Sequence, residues 1–117
     1  MVVVGGGPAG SAVACLLAQR GHDVLLLDAA RFPRDKVCGE GVSPEAWRLL
    51  DAMGAADRVR ALSPHLLLGM QLVSPDGTAF RGEYRDRPGF AVRRLALDEA
   101  LLDAARDAGV EVREGVR

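Results

Sequence analysis

Apolar positions follow two rhythms along the chain. Val2-Val3-Val4 and Val24-Leu25-Leu26-Leu27 are short unbroken aliphatic runs, the pattern of parallel strands covered on both faces. Between them Ala9, Val13, Leu16 and Leu17 recur at helical spacing, which predicts a helix laying one apolar stripe on a sheet. Pro8 suits its first turn, where no backbone donor is needed, and Gly21 suits the residue that ends it. Strand, helix and strand in this order form a βαβ unit with a right-handed crossover.

From Ala29 to Ser43 no period holds, and Pro, Gly and charges mark a loop. Ser43-Pro44-Glu45 predicts a helix with Ser43 as N-cap and Pro44 at N1, running to Met53 and stopped by Gly54. Residues 55–62 read as a weaker helical turn or two. Leu66–Val73 and Thr78–Tyr84 flank Ser74-Pro75-Asp76-Gly77, a turn sequence, so an antiparallel hairpin is expected. Phe90–Val92 adds a short strand. Leu97, Leu101, Ala104, Ala105 and Ala108 define an amphipathic helix ended by Gly109, and Val110–Val116 reads as a last strand.

The fold class is therefore α/β, a parallel sheet with an inserted antiparallel hairpin. A doubly wound sheet normally has five or six strands, against three parallel candidates here. We expect an incomplete, truncated fold, the N-terminal part of a larger domain whose partner is the remainder of its own polypeptide. Residues 1–54 form the βαβ unit and a cysteine-bearing loop. Residues 64–93 hold the hairpin that begins a substrate-side sheet, and 94–117 a helix and strand returning to the first sheet.

Composition narrows the chemistry by exclusion. Fifteen basic residues stand against sixteen acidic ones in 117, with a net charge of −1. No basic block forms and aromatics are few, so nucleic acid is not an expected partner. The aliphatic runs are too short to span a bilayer, and composition leaves a peripheral membrane contact open. Two cysteines suggest neither a disulfide framework nor a metal motif, so a reducing cytoplasm is the default compartment. His22 and His65 have no ligand-spaced partner, and no metal site is expected.

Gly5-Gly6-Gly7-Pro8-Ala9-Gly10 fits G-x-G-x-x-G where a strand meets a helix. Gly5 permits the tight turn, Gly7 lets a pyrophosphate approach the backbone, and Gly10 lets helix pack on strand. The free amides and positive end of the helix then face the phosphates. Gly5, Gly7, Pro8, Ala9 and Gly10 are thus candidate cofactor-binding positions. Asp28 ends the second aliphatic run eighteen residues after Gly10, placed to accept hydrogen bonds from a ribose diol. This is a dinucleotide site; NAD and FAD share the adenosine diphosphate and are not separated by it.

The segment Arg31-Phe32-Pro33-Arg34-Asp35-Lys36-Val37-Cys38-Gly39-Glu40-Gly41-Val42-Ser43 carries a resemblance. With the glycine fingerprint and the strand-ending acid, its K-x-C-G-E-G-V-S stretch resembles the geranylgeranyl reductase family, FAD-dependent oxidoreductases within the wider group of aromatic hydroxylases and flavin halogenases. Arg94-Leu95-Ala96-Leu97-Asp98-Glu99-Ala100-Leu101 is similar to that group's R-x-x-x-D-x-x-L segment. The resemblance covers essentially the whole chain.

It implies a Rossmann-like FAD/NAD(P)-binding fold, FAD as cofactor and NAD(P)H as electron donor. Asp28, with Ala29 beside it, would hold the adenosine ribose. Cys38, Gly39, Glu40 and Val42 would lie along the cofactor toward its flavin end, and Arg94 would contact the flavin cofactor. Cys38 would be an active-site thiol poised by Lys36 and Arg34, or else a small inert loop residue. Arg31, Arg34 and Lys36 are read either as a solvated loop or as pyrophosphate or substrate contacts. Cys15, inside an Ala-Val-Ala-Cys-Leu-Leu run, is a core residue. The implied activity is reduction of isoprenoid or similar double bonds in a small-molecule or polyprenyl substrate. The alternatives are an aromatic hydroxylase or halogenase-type monooxygenase, and a non-catalytic nucleotide-binding fragment.

Overall fold

The computed structural model describes residues 1–116. Strand β1 (Val2–Val4), helix α1 (Pro8–Gln19) and strand β2 (Leu25–Asp28) come first. After a long loop come β3 (Gly41–Val42), α2 (Ala46–Met53), α3 (Ala56–Ala61), β4 (His65–Leu67), β5 (Gly69–Val73) and β6 (Ala79–Glu83). The chain closes with β7 (Gly89–Ala91), α4 (Arg94–Asp107) and β8 (Glu111–Glu114). The predicted βαβ unit is present, and β8 extends it into a parallel sheet of order β1-β2-β8.

Because the order advances in one direction, right-handed crossovers put α1 and α4 on the same face. The register Val3↔Leu26↔Val112 lines up one apolar row, and these residues belong to the core that α1 and α4 share. The opposite face holds Val2, Val4, Leu25 and Leu27 in the alternate register. There Val2 is 64% and Val4 82% exposed. The expectation that β1 is covered on both faces is thus met on one face only.

The helical spacing of α1 is as expected but its phase differs. Val13 and Ala9 are exposed, and the buried residues are Ser11, Ala12, Ala14 and Cys15. The reason is close packing: small side chains let α1 approach Ala104 and Ala105 of α4. Cys15 sits where α1, α2 and α4 meet, its thiol 3.6 Å from the Met53 carbonyl and 3.7 Å from that of Ala104. It is a core residue, and burial raises its pKa.

A second, antiparallel sheet has the order β3-β7-β4. Its β3 lies in the segment read as loop; Gly41 and Val42 are extended by pairing with Ala91 and Phe90, a long-range contact with no local signature. The next helix, α2, begins later than expected. The helix starts at Ala46 after a turn in which the Ala46 amide donates to the Ser43 carbonyl. Neither Ser43 nor any other side chain caps it. Phe90, fully buried, packs against Trp47 in a tilted pair, 4.5 Å between ring centroids, and seats α2 on this sheet.

The long strand expected over Leu66–Val73 is two. β4 pairs with β7, whereas β5 pairs with β6 across the Ser74–Gly77 turn. The break falls at Leu68, next to Gly69, where a Cβ would stand 2.2 Å from the Gly82 carbonyl oxygen. Only glycine tolerates that approach. No helix among the described residues is long and apolar enough to cross a membrane.

Candidate functional site

The carboxyl ends of β1 and β2 and the start of α1 and α4 converge on one place. Gly5 leaves β1 with φ of +100° and donates its amide to the Leu27 carbonyl at 2.7 Å, so the turn begins while still bonded to β2. A Cβ on Gly10 would lie 1.7 Å from the Gly5 carbonyl oxygen; this glycine is what lets the helix close on the strand. Ser11, fully buried, donates its hydroxyl to the Gly6 carbonyl at 3.0 Å. It was not singled out in the sequence, though its place just after the last fingerprint glycine is the available signal.

Asp28 stands at the end of β2 as expected, and it holds the loop from below. Its Oδ2 accepts the Gly6 amide at 2.6 Å and its Oδ1 the Ala30 amide at 2.7 Å. A carboxylate has about four lone-pair sites, so acceptor capacity is left for a diol. The amides of Gly7, Ala9 and Gly10, by contrast, have no hydrogen-bond partner among the described residues. Three unpaired donors at the positive end of a helix form an anion cradle.

What stands over the cradle is a pair of cations. The Cβ that Gly7 lacks would lie 3.4 Å from Arg34 Nη2 and 3.9 Å from Arg94 Nη2. Both guanidiniums are tied to Asp98, whose side chain is completely buried. Arg94, the first residue of α4, grips it with two hydrogen bonds of 2.7 and 2.8 Å, one turn along the helix. Arg34 Nη1 approaches Asp98 Oδ2 to 2.9 Å, and the Arg34 guanidinium rests 4.9 Å above the Phe32 ring. Asp98 closes the R-x-x-x-D segment, and its i+4 spacing from Arg94 is the sign of this pair that the sequence carries.

The loop from Ala29 to Glu40 is anchored at its start to β8. The Phe32 amide donates to Glu114 Oε1 at 2.7 Å, and the Gly115 amide to the Ala30 carbonyl at 3.1 Å. Arg31 lies beside Gly115, 3.4 Å from where its Cβ would be, away from the cradle. Ala29 is exposed next to Asp28. Gly39 would meet nothing within 4 Å if it carried a Cβ, so its own fold does not demand glycine. Glu40 adopts φ of +58°, a left-handed conformation rare outside glycine. Its carboxylate accepts the Arg94 amide at 3.3 Å, and its carbonyl accepts the Val92 amide at 3.3 Å. Val42 is half-buried in β3, its side chain packed against the core and its backbone paired opposite Phe90.

Cys38 is exposed. Its pKa is lowered, first by the Glu40 backbone amide and then by the Arg94 guanidinium. The expected helpers Lys36 and Arg34 are not the cause. The pKa of Arg94 is raised in turn, first by its hydrogen bonds to the buried Asp98 carboxylate and then by the Cys38 thiol. Beside Cys38 opens an apolar cavity of about 280 Å³ bounded by Pro8, Ala12, Leu49, Leu50 and Phe90.

Comparison with known proteins identifies the family and the fold. The family model of the FAD binding domain matches residues 1–117. Menaquinone reductase of Mycobacterium tuberculosis is 40% identical over 129 residues, covering 100% of this chain and 29% of that protein. Tryptophan 2-halogenase of Chondromyces crocatus is 36% identical over 122 residues, covering 99% of this chain and 22% of the relative. Among solved structures, the myxobacterial chondrochloren halogenase CndH superposes with a TM-score of 0.88 at 29% identity, over 97% of this chain and 28% of the halogenase. The chain therefore spans under a third of the length of these relatives, and within that span it has their Rossmann-like fold. It belongs to the FAD binding domain family.

Proposed function

We propose that the chain forms the adenosine-diphosphate-binding portion of an FAD-dependent oxidoreductase that reduces isoprenoid or similar double bonds, as geranylgeranyl reductases do. The observation that carries the cofactor part is the cradle: unpaired amides at Gly7, Ala9 and Gly10 beneath two guanidiniums, with Asp28 at the neighbouring strand end. These residues fit FAD. Gly5, Gly7, Pro8, Ala9 and Gly10 would hold the diphosphate, Asp28 and Ala29 the adenosine ribose. Arg94, Cys38, Gly39, Glu40 and Val42 would lead toward the flavin. Bound there, the flavin supplies the two-electron chemistry, and NAD(P)H is the donor class we assign.

The reductase reading is supported by the K-x-C-G-E-G-V-S loop and by the menaquinone reductase relatives, at 38% and 40% identity. Cys38, kept toward its thiolate by Glu40 and Arg94, borders an apolar cavity. It would act there as a thiol at the reacting end, with the cavity excluding water. A polyprenyl substrate suits that lining, as does a location at the membrane surface on its cytoplasmic side. A second reading, a halogenase or hydroxylase, is favoured by the CndH superposition.

Turnover of the full-length protein with a polyprenyl substrate, with and without oxygen, separates the two. Saturated product formed anaerobically is the expected result. Product that requires oxygen overturns the reductase reading and supports the second.

A further inference from the structure

We propose that Arg34 is a ligand of the cofactor's diphosphate, held in place for that purpose by Asp98 as a positioning residue. The inference rests on the FAD reading and extends it to residues outside the glycine fingerprint. Three observations carry it. Arg34 Nη1 is buried, and it is the side-chain nitrogen or oxygen among the described residues that is both buried and without a hydrogen-bond partner. It lies 2.9 Å from Asp98 Oδ2 but misses hydrogen-bonding alignment, so the carboxylate anchors the guanidinium without using up that donor. The other end nitrogen of the same guanidinium, Nη2, faces the missing Cβ of Gly7 at 3.4 Å, where the unpaired helix amides begin.

A buried donor left unmatched is costly, and native structures keep such groups satisfied by protein, water or ligand. A phosphate oxygen above Gly7 would meet this guanidinium through Nη2, the end nitrogen that faces that place. The charges agree. Arg34, Arg94 and Asp98 together carry one positive charge, and the amino end of α1 adds about half a charge, against the two negative charges of a diphosphate. Asp98 sets the geometry: fully buried and already bonded twice by Arg94, it cannot follow Arg34 outward. Phe32 supports the guanidinium from its other side.

The test compares ADP with adenosine, which lacks the phosphates, on the full-length protein freed of cofactor and followed by ligand-observed NMR titration. Arg34→Gln should weaken ADP by about 10- to 100-fold, the range for hydrogen bonds to charged groups, and leave adenosine unchanged. Its fold should survive, because Asp98 keeps both bonds to Arg94. Arg34→Lys should recover part of the ADP affinity through its charge. Asp98→Asn, which loosens the anchor, should also weaken ADP selectively. Unchanged ADP affinity in Arg34→Gln overturns the assignment, and equal loss of both ligands shows Arg34 to be structural, which also overturns it. If the unaltered protein binds neither ligand, the FAD reading itself falls and the proposal with it.

Discussion

The parallel unit and the β5–β6 ribbon are built from similar apolar residues and treat them in opposite ways. In the parallel unit Leu26 is fully buried beneath α1 and α4, and the glycine loop above it is tied by Asp28, Ser11 and the strand ends. The ribbon pairs Leu72 with Phe80 and Met70 with Gly82 on one face, and leaves Leu72 60% and Phe80 67% exposed. Its other face is polar away from the turn, with Gln71 opposite Arg81 and an Arg81–Glu83 ion pair, and carries an exposed Val73 opposite Ala79 beside the turn. The open face of β1 and β2 resembles the ribbon in this respect. Apolar sequence therefore stabilises this chain only where a helix lies on it. An exposed aliphatic row contributes nothing until something covers it.

Five substitutions or measurements would break or sharpen this contrast. Leu26→Ala, in the covered row, should cost about 2–5 kcal/mol, read as a lower midpoint in urea unfolding. Gly10→Ala drives a methyl into the Gly5 carbonyl and should cost about 3 kcal/mol, the upper end for overpacking, with loss of ADP binding in the same sample. Asp28→Ala removes the tether of Gly6 and Ala30 and should weaken adenosine binding by about 1–3 kcal/mol; unaltered affinity would remove its assigned role.

The fourth concerns the loop that joins the two regions. Since the Cys38 pKa is lowered, the thiolate should form at lower pH than in a free cysteine of about 8.5. Iodoacetamide labelling should therefore rise with a midpoint below that of a free cysteine titrated in parallel. Arg94→Ala, removing the cation, should move the midpoint up. The smallest effect is expected on the ribbon: Phe80→Ser should change stability by less than about 0.5 kcal/mol. A large loss there would show that the ribbon is packed in a way the contrast denies.

Much of the parallel unit was legible in the sequence. The fingerprint, Pro8 at the helix start, Gly21 and Gly54 past helix ends, and Asp28 closing β2 are each dictated by local backbone chemistry. Glycine's freedom at positive φ and the missing donor of proline act within a few residues, so reading them needs no knowledge of the fold. The Ser74–Gly77 turn belongs with them.

Tertiary structure decided what depends on distant partners. It chose the face of α1 that is buried, because Ala104 and Ala105 arrive from α4. It made a strand of Gly41–Val42, because Phe90 and Ala91 lie alongside. It left one face of the sheet bare, because both crossovers turn the same way. Most of all, it brought Arg34 and Arg94 onto one buried aspartate above Gly7. Periodicity along a chain records which residues are apolar, but the partner that buries or charges a position comes from elsewhere in the chain, and only the packed molecule places it.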